Sequence, residues 1–397
     1  MKPLHLVMSV GNRAYGLGPP ARFLARFQQA SGCESEIWTI DDDPGTIAEA
    51  VVQTGLKPGS VRSFKGVGPL RVGFSTALIQ ALLSERGRSF SLIHLHGIWT
   101  GLSVGSLLWR IKTQRPVVVA AHGSLQPWAM NRSRWKKRIA WRLYEKRNLT
   151  GAACLHAVAA AEIEDYRRMG LRTPVAVIPN GVDPAWLETQ GDRRKFRQKY
   201  GLKEAQRVLL FLSRITPKKG LPMALAAMHE LKSRLNDSVL LIAGTDEFNH
   251  LAEVRSLVDK YQLADHVLFV GPLHGQAKRD AFAAADVFLL PSYSEGAPLV
   301  VLEALAAGVP VITTHGSPWK ELIEHHCGWW TEINARAIGL AIMEALSCPA
   351  EDLKDMGRRG LDLVQTKYLW SRCAADSIRL YDWLLSRGKC PGCVALS

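Results

Sequence analysis

One strand–loop–helix–strand segment carries the strongest structural signal in the chain. It reads Val287-Phe-Leu-Leu-Pro-Ser-Tyr-Ser-Glu295-Gly-Ala-Pro-Leu-Val-Val-Leu-Glu303-Ala-Leu-Ala-Ala-Gly308-Val-Pro310-Val-Ile312. The apolar run at 287–290 predicts a buried strand, and the Ser/Gly/Pro loop predicts a turn into a helix that begins near Leu299. Gly308 and Pro310 then lead into another apolar run. The segment therefore predicts a parallel β-α-β unit with Glu295 at the carboxyl end of a strand.

Short apolar runs alternate with helical patterns on both sides of this segment. At about 150 residues per domain, a chain of 397 residues predicts two domains. Continuous Val, Leu and Ile runs are typical of parallel sheets covered by helices on both faces. We expect an α/β fold with two doubly wound, Rossmann-like domains. The predicted strands are 4–9, 36–40, 92–95, 117–120, 154–158, 175–178, 207–212, 239–243, 267–270, 287–290 and 309–313.

The boundary between the domains is predicted at Pro179-Asn-Gly-Val-Asp-Pro184, where two prolines flank an Asn-Gly turn. This gives a first domain at 1–184 and a second at 185–368. We expect the last helix, at 369–387, to cross back to the first domain. Residues 388–397 are predicted to form a tail.

Positive charge is concentrated in the first half of the chain. The chain has 50 Lys and Arg against 36 Asp and Glu, a net charge of +14, of which +12 lies in residues 1–185. Such an excess favours an anionic partner, such as a nucleotide, a membrane surface or a nucleic acid. The asymmetry predicts two domains with different partners.

The most basic stretch runs from Trp128 to Arg147 and is called the basic segment below. It carries eight Lys and Arg against one Glu, with aromatic residues between them. Cations beside aromatic rings are typical of a helix that binds anionic lipid headgroups. A solvated helix whose tryptophans pack inward is the alternative, and no recognised module supports a nucleic-acid partner. The predicted contacts with a membrane surface are Trp135, Lys136, Lys137, Arg138 and Trp141.

A second strand-to-helix junction has cations in its loop. Phe211-Leu-Ser-Arg214-Ile-Thr-Pro-Lys-Lys219-Gly220 places Arg214 and Lys219 five residues apart at a predicted helix start. Cations there oppose the helix dipole, so their presence indicates a bound anion. A planar guanidinium and a compact ammonium can together neutralise a diphosphate. Surface cations without a ligand are the alternative.

The helix that contains Glu303 extends this hypothesis. Its early N–H groups, at about Leu299 and Val300, have no acceptor within the helix and suit a phosphate. A carboxylate in an otherwise apolar helix needs a partner if it is buried, and a ribose diol fits that role. An exposed glutamate on an ordinary helix is the alternative.

Strand-end histidines mark the predicted first domain. His122 follows the strand at 117–120, and His94-Leu-His96 ends another strand. We expect His96 and His122 at the carboxyl edge of the sheet, and His94 in the core with an opposite-facing side chain. No metal site is predicted from these histidines, because no carboxylate or Cys stands at ligand spacing.

Seven cysteines are odd in number and widely scattered, which predicts reduced thiols in a cytosolic protein. Cys390 and Cys393 form the one close pair, and without a second pair they do not predict a metal site.

The opening residues 1–10 read as a buried strand, with no signal-peptide pattern. No apolar run reaches the ~20 residues that a membrane span requires. We therefore expect a cytoplasmic protein that can sit on a membrane.

These motifs together resemble those of the retaining glycosyltransferases of family 4, which have the GT-B fold. The resemblance rests on the Glu295/Glu303 pair, on Arg214 with Lys219-Gly220, and on Pro-Asn-Gly-Val-Asp at 179–183. It extends over essentially the whole chain. The family often has Glu-Gly-Phe-Gly-Leu where this chain has Glu295-Gly-Ala-Pro-Leu. The resemblance implies two domains that face each other across a cleft, with the acceptor on the first domain and the nucleotide sugar on the second.

The resemblance also implies roles for single residues. Lys219 and Arg214 would bind the donor diphosphate, Glu303 the ribose hydroxyls, and Glu295 the donor sugar near the reacting carbon. A glycine-rich loop at 9–20 would approach the donor phosphate and acceptor. The implied catalytic residues are His122 and Glu295, and the implied donor-binding residues are Gly16, Gly18, Arg214, Lys219, Gly271, Leu299, Val300 and Glu303. From its place at a strand end, His96 is expected to contact the acceptor.

The activity implied is transfer of a sugar from a UDP or GDP sugar to a saccharide acceptor, with retention at the anomeric carbon. The acceptor expected is linked to a polyprenyl diphosphate, and the product is a bacterial polysaccharide or lipopolysaccharide. No cofactor and no metal are expected, and Asp41-Asp-Asp43 is expected to be solvated. A nucleotide-sugar epimerase of the same fold and a non-catalytic nucleotide-sugar-binding protein are the alternatives.

Overall fold

The computed structural model describes residues 1–11, 16–69, 72–235 and 237–396. They form two compact units, one of Met1–Gly181 with Trp370–Ser397 and the other of Val182–Leu369. Each unit is an α/β structure built on a parallel sheet, which confirms the predicted fold class.

The sheet of the first unit contains eight strands among the described residues. They are β1 (Pro3–Leu6), β2 (Glu36–Ile40), β3 (Val61–Phe64), β4 (Leu92–His96), β5 (Val117–Ala120), β6 (Cys154–Ala157), β7 (Val175–Val177) and a last one, β14 (Val394–Ala395). Their order is β14-β7-β6-β5-β4-β1-β2-β3. The order reverses between β1 and β4, so the switch point of this sheet lies there.

The last strand corrects the prediction that 388–397 forms only a tail. The strand β14 pairs antiparallel with β7, with Val394 opposite Ala176. Seven free thiols are found at the seven cysteines, and Cys390 and Cys393 flank the turn that leads into β14.

Helices cover both faces of this sheet. They are α1 (Gly18–Ala30), α2 (Pro44–Thr54), α3 (Thr76–Leu83), α4 (Glu85–Arg88), α5 (Gly101–Thr113), α6 (Pro127–Asn131), α7 (Arg134–Ala140), α8 (Lys146–Thr150), α9 (Ala161–Arg168) and, at the end of the chain, α19 (Trp370–Leu384). A π-helical turn at Trp141–Glu145 joins α7 to α8. The ring of Trp370 stacks on Phe23, which fixes α19 against α1.

The second unit has a six-stranded parallel sheet in the described residues. Its strands are β8 (Arg207–Leu212), β9 (Ser238–Ala243), β10 (Val267–Gly271), β11 (Val287–Leu290), β12 (Val311–Thr314) and β13 (Gly328–Thr331). Their order is β10-β9-β8-β11-β12-β13, so the switch point lies between β8 and β11. The central strands are buried because each is apolar on both faces.

The helices of the second unit complete the β-α-β pattern. They are α10 (Ala185–Glu188), α11 (Arg193–Lys199), α12 (Leu221–Glu230), α13 (His250–Lys260), α14 (Gly275–Ala284), α15 (Leu299–Ala306), α16 (Glu321–Glu324), α17 (Ala335–Ser347) and α18 (Ala350–Lys367). None of the helices in the described ranges has the length and hydropathy that a membrane crossing requires.

Candidate active site

The strongest candidate site lies at the switch point of the second sheet. Strands β8 and β11 pair in parallel, with Leu210 opposite Phe288, so the loops that follow them leave the same edge. These loops carry Lys219 and Glu295. The N–H of Tyr293 donates to the carbonyl of Lys218 at 2.9 Å, which ties the two loops together. Gly220 has a φ of +72°, and a Cβ there would collide with the Pro291 carbonyl, so this close approach requires glycine.

Lys219 and Glu295 form a buried ion pair in this site. The Lys219 Nζ atom lies 2.6 Å from Glu295 Oε1, and each residue is only 7% exposed. The hydroxyl of Ser292 donates to the same carboxylate oxygen at 2.6 Å. Burial raises the pKa of Glu295, but the charges of Lys219 and Lys218 and these hydrogen bonds outweigh it, so the pKa is lowered overall. Glu295 is therefore an ionised carboxylate held in one orientation.

Arg214 has a carboxylate partner of its own. Its Nη1 atom donates to both carboxylate oxygens of Glu247 at 2.7 Å. Glu247 lies in the loop after β9, the strand beside β8, and was not predicted from the sequence. This contact of one nitrogen with both carboxylate oxygens orients the guanidinium at the carboxyl edge of the sheet.

Glu303 lies one turn into α15 and pairs with Lys278 of α14. The Lys278 Nζ atom is 2.5 Å from Glu303 Oε2, and both side chains are largely buried. This partner was not predicted from the sequence either, because it lies on a different helix. The first turn of α15, at Leu299 and Val300, has no side-chain cap, since Pro298 occupies the N-cap position. No side chain of the N-cap residue therefore occupies the N–H groups of this turn.

Gly271 ends β10 with a φ of +75°, and its carbonyl accepts the N–H of Gly244 at 3.0 Å. The turn here leads into α14 and so toward Lys278. The predicted donor-binding residues of the second unit thus follow strands β8, β10 and β11 at one edge of the sheet. Whether they contact a nucleotide sugar stays a prediction.

His122 follows β5 in the first unit and has a left-handed backbone, with a φ of +49°. A non-glycine residue in this conformation needs support from its surroundings. Glu162 supplies it, because its carboxylate accepts the N–H of Gly123, and the N–H of Val158 at 2.8 Å. The pKa of Glu162 is raised to about 7 by its burial.

Behind His122 lies a cluster of buried histidines, which corrects two predictions. His96 is 1% exposed and bonds to His122, so its side chain cannot reach an acceptor. His94 is buried as expected, but it stacks on His96 at 4.3 Å instead of facing away. The reason is that residues two apart on a strand share a face. His5 of β1 and His156 of β6 complete the cluster, and their place in apolar strands was the available signal.

The glycine-rich loop is described in part, since residues 12–15 lie outside the described residues. Gly16 has a φ of +93°, and a Cβ on Gly18 would lie 2.8 Å from the Val10 carbonyl. Asp42 is buried, contrary to the expectation of a solvated acidic run. Its carboxylate accepts the N–H of Val10 at 2.8 Å and the hydroxyl of Ser9 at 2.5 Å, and so holds the start of this loop.

The basic segment forms a surface with both charge and apolar exposure. Trp135, Ile139 and Leu143 are 64%, 50% and 70% exposed and follow one another at helical spacing of four residues. Lys136 and Arg138 are exposed beside them. Beneath lies a cavity of about 660 Å³ lined by cations and apolar side chains, among them Arg134, Lys137, Arg138, Arg142, Arg168, Met130, Trp141 and Met169.

Two residues of this segment depart from the prediction. Trp141 packs inward, 6.3 Å from the ring of Trp99, and lines the cavity instead of the outer surface. Lys137 is half-buried and donates to the Ala129 carbonyl at 2.5 Å, and burial lowers its pKa. Of the predicted membrane contacts, Trp135, Lys136 and Arg138 are therefore exposed, and Ile139 and Leu143 are exposed beside them.

Two family profiles match this chain. A family profile described as "Glycosyl transferases group 1" matches residues 192–362, and one described as "Glycosyl transferase 4-like domain" matches residues 16–181. The GDP-mannose-dependent alpha-(1-6)-phosphatidylinositol monomannoside mannosyltransferase of Mycobacterium tuberculosis is 30% identical over 221 residues, which are 52% of this chain and 54% of that protein. The chain spans about half the length of this and other curated relatives.

Solved structures agree with the fold. Sucrose-phosphate synthase from Thermosynechococcus elongatus has a TM-score of 0.78 at 22% identity, covering 97% of this chain and 100% of that one. Anabaena HepE, solved with UDP and glucose, has a TM-score of 0.78 at 18% identity, covering 96% and 100%. At these identities the likeness establishes the GT-B fold alone. Because the two family profiles between them match most of its residues, the chain belongs to the group 1 glycosyl transferases.

Proposed function

We propose that this chain transfers a sugar from a nucleotide-diphosphate sugar to a saccharide acceptor, with retention at the anomeric carbon. The observation that carries the proposal is the buried Lys219–Glu295 pair at the switch point of the second sheet. Ligands of doubly wound sheets bind at this point. HepE, which shares the fold, binds UDP and glucose, and this supports a UDP or GDP sugar as the donor.

The donor diphosphate is bound by Lys219, Arg214 and the first turn of α15. Lys219 contacts Glu295 through one N–H and has three N–H donors, so it can bind a phosphate oxygen at the same time. The N–H groups at Leu299 and Val300 add the positive end of a helix dipole. These charges are fixed before the donor binds, and they stabilise the negative charge that develops on the leaving diphosphate. On this account the donor needs no metal and no cofactor. Glu303, oriented by Lys278, accepts hydrogen bonds from the ribose hydroxyls.

The reaction proceeds by attack on the same face of the sugar. The bond from the anomeric carbon to the diphosphate oxygen breaks, the bond to the acceptor oxygen forms, and the acceptor proton passes to the leaving phosphate. Glu295 stabilises the positive charge that develops on the sugar. As a carboxylate with a lowered pKa, it is ionised at neutral pH and has no proton to donate.

The acceptor is a saccharide on a lipid diphosphate carrier, bound at the basic segment. Its cavity combines cations, which suit a diphosphate, with methionine and tryptophan side chains, which suit an isoprenoid chain. The exposed stripe of Trp135, Ile139 and Leu143 fits the headgroup region of an anionic membrane. A relative named as a phosphatidylinositol monomannoside mannosyltransferase is consistent with a lipid acceptor. On this proposal the protein works in the cytoplasm, on the inner face of the plasma membrane, in polysaccharide or lipopolysaccharide synthesis.

A donor screen tests the proposal. UDP, GDP and ADP, with their sugars, are tested for thermal stabilisation, and stabilising donors are then incubated with and without a polyprenyl-diphosphate saccharide. The expected result is release of the nucleoside diphosphate that depends on the acceptor, with one new α- or β-linkage matching the donor configuration. Conversion of the nucleotide sugar without an acceptor would instead indicate an epimerase. An inverted product, or no donor that binds, would contradict the proposal.

A further inference from the structure

The buried histidine cluster of the first unit contains more than core packing requires. His5, His94, His96 and His156 lie on the parallel strands β1, β4 and β6, on the face that α1 and α19 cover. Four imidazoles in an apolar core cost free energy unless every polar atom is hydrogen-bonded. A neutral imidazole has one N–H donor and one acceptor nitrogen, so each hydrogen bond in such a cluster restricts the next.

A backbone carbonyl determines which groups of the cluster donate and which accept. The hydroxyl of Ser377 donates to the Ala374 carbonyl at 2.7 Å, which leaves its oxygen to accept the side-chain N–H of Gln28 at 2.8 Å. The amide orientation of Gln28 is therefore set, and its Oε1 atom is an acceptor. The Nε2 atom of His5 lies 2.8 Å from that oxygen and must be protonated.

The hydrogen bonds continue from His5 to the edge of the sheet. Since His5 carries its proton on Nε2, its Nδ1 atom accepts from His96 Nε2 at 2.9 Å. The Nδ1 atom of His96 then accepts from His122 Nε2 at 3.2 Å. His122 is thereby left with its proton on Nε2 and with an acceptor lone pair on Nδ1.

A second branch reaches the same assignment from another carbonyl. His156 Nε2 donates to the Ile178 carbonyl at 2.7 Å, so His156 Nδ1 accepts from His94 Nε2 at 3.1 Å. His94 Nδ1 then accepts the hydroxyl of Tyr381 at 2.6 Å. The oxygen of Tyr381 accepts from Gln28 at 3.2 Å, which agrees with the amide orientation found from the first branch.

The assignment holds as long as the rings are neutral. Burial lowers the pKa of His5 and His156 to about 4 and that of His122 to about 3, and it holds the pKa of His94 and His96 well below the ordinary value. At neutral pH the rings therefore carry one proton each.

We propose that Gln28, His5 and His96 are positioning residues, and that their directed hydrogen bonds hold His122 in the Nε2–H tautomer with Nδ1 as an acceptor for a sugar hydroxyl. The identity of that hydroxyl-bearing ligand rests on the proposed function, whereas the tautomer does not. Helix α19 thereby has a role in the site, because Ser377 and Tyr381 orient the amide of Gln28.

Nuclear magnetic resonance of the whole chain, labelled with ¹⁵N at histidine, tests the proposal. Long-range ¹H–¹⁵N spectra distinguish the two neutral tautomers from each other and from imidazolium. At pH 7 we expect His5, His94, His96, His122 and His156 to be neutral with the proton on Nε2. A His122 signal from the Nδ1–H tautomer, or from an averaged mixture, would overturn the proposal. The measurement needs no donor and no turnover, so an inactive chain with the expected spectrum would refute the proposed function alone.

Two variants separate positioning from packing. Gln28→Met keeps the length of the side chain but removes the acceptor for His5, and the His122 signal is expected to move toward a mixture of tautomers. Tyr381→Phe is the matched control, because it removes the hydroxyl that donates to His94 and accepts from Gln28, while Ser377 still accepts from Gln28 and keeps its amide orientation. In that variant the His94 signal should change while His122 keeps its proton on Nε2. An unchanged His122 signal in Gln28→Met would overturn the proposal, and if that variant does not fold, the wild-type spectrum still decides.

A metal ion is the competing explanation for the cluster. One nitrogen from each of His5, His94 and His96 lies within 4.8 Å of the others, which is close enough for a shared ligand. A metal on these nitrogens would replace the bonds that fix the tautomers. Elemental analysis of the purified chain is therefore part of the test. We expect less than one metal ion per ten chains, and a stoichiometric metal lost in the double variant His5→Ala with His96→Ala would overturn the proposal.

Discussion

Lys219 Nζ lies 2.6 Å from Glu295 Oε1, although the two residues are 76 positions apart in the chain. The contact exists because β8 and β11 are neighbours and both loops leave the same edge of the sheet. The pair joins the residue proposed to bind the leaving diphosphate to the carboxylate proposed to face the sugar. A change of charge at either residue therefore changes the electrostatic energy of the other, because both lie in one buried site.

Glu295→Gln tests the role of the carboxylate. The amide keeps the shape and the contacts with Lys219 and Ser292 but loses the negative charge. We expect kcat to fall on the order of 100-fold, because charge stabilisation in the transition state is lost. Donor affinity, measured by titration, should change less than threefold. Single-turnover rates measure the chemical step in the same variants. Ser292→Ala is the control, and its kcat should fall far less. An equal loss of kcat in both variants would refute the role assigned to Glu295.

Glu303→Gln tests ribose binding. The variant removes the charge but not the volume of the side chain that Lys278 orients. Since hydrogen bonds to a charged group contribute about 1.5–3 kcal/mol, the ribonucleotide should lose at least tenfold in affinity. An analogue that lacks the ribose hydroxyls should be affected far less. Equal losses for the two ligands would show that Glu303 does not contact the ribose.

The buried histidines predict that acid destabilises the protein. The pKa of His5 and of His156 is about 4 in the folded chain against an ordinary value of 6.5. Between these pH values the unfolded chain binds more protons, so the free energy of unfolding falls as the pH falls. Each of the two should contribute a loss of about 2 kcal/mol between pH 7 and pH 5.

Glu162 acts in the opposite sense, because its pKa is raised to about 7 and the folded chain takes up its proton first. The histidines outnumber it, so we expect a net loss of stability at pH 5. Urea unfolding at pH 7 and pH 5 measures the effect, and Glu162→Gln should make the fall steeper. Equal or greater stability at pH 5 would contradict the burial of neutral histidines.

The basic segment predicts reversible binding to anionic vesicles. Each Lys or Arg near such a surface contributes roughly 1 kcal/mol, so Lys136→Glu with Arg138→Glu should reduce binding more than tenfold. Ile139→Ser with Leu143→Ser should also weaken it, because both side chains are exposed. Salt at 1 M should release the protein, since the Debye length is then ~3 Å.

Co-sedimentation with vesicles measures this binding. The matched control is Lys320→Glu with Lys354→Glu, which makes the same change of charge on exposed lysines of the second unit. Two outcomes would show that this segment is an ordinary solvated surface. One is equal pelleting of the wild type with neutral and anionic vesicles, and the other is equal pelleting of the basic-segment variant and its control.

Much of the fold could be predicted from the sequence because the central strands are buried on both faces. The predicted strand at 207–212 coincides with β8, and the helix predicted from Leu299 begins there. The strands at Val61–Phe64 and Gly328–Thr331 were missed. Both are partly exposed, and β3 is an edge strand with Arg and Ser within it, so neither has a continuous apolar run.

The site was predicted less completely, for a different reason. Sequence spacing identifies which loops carry Lys219 and Glu295, but the partners of Arg214 and Glu303 lie on a different loop and a different helix of the same unit. His5 also escaped notice, because a lone histidine in an apolar strand is usually a core residue. Only the pairing of β1 with β4, which sets His5 beside His94, makes it part of a cluster.

Titration calorimetry of nucleoside diphosphates, with excess chelator, tests the central claim most directly. Wild type and Lys219→Ala are titrated with UDP and GDP, with Lys354→Ala as a control for loss of an exposed lysine. We predict that wild type and control bind one of the two with a stoichiometry of one, and that Lys219→Ala binds it at least 30-fold more weakly, as loss of about 2 kcal/mol from a buried charge contact requires. Equal affinity in Lys219→Ala, or binding by wild type only when a metal is restored, would contradict the account.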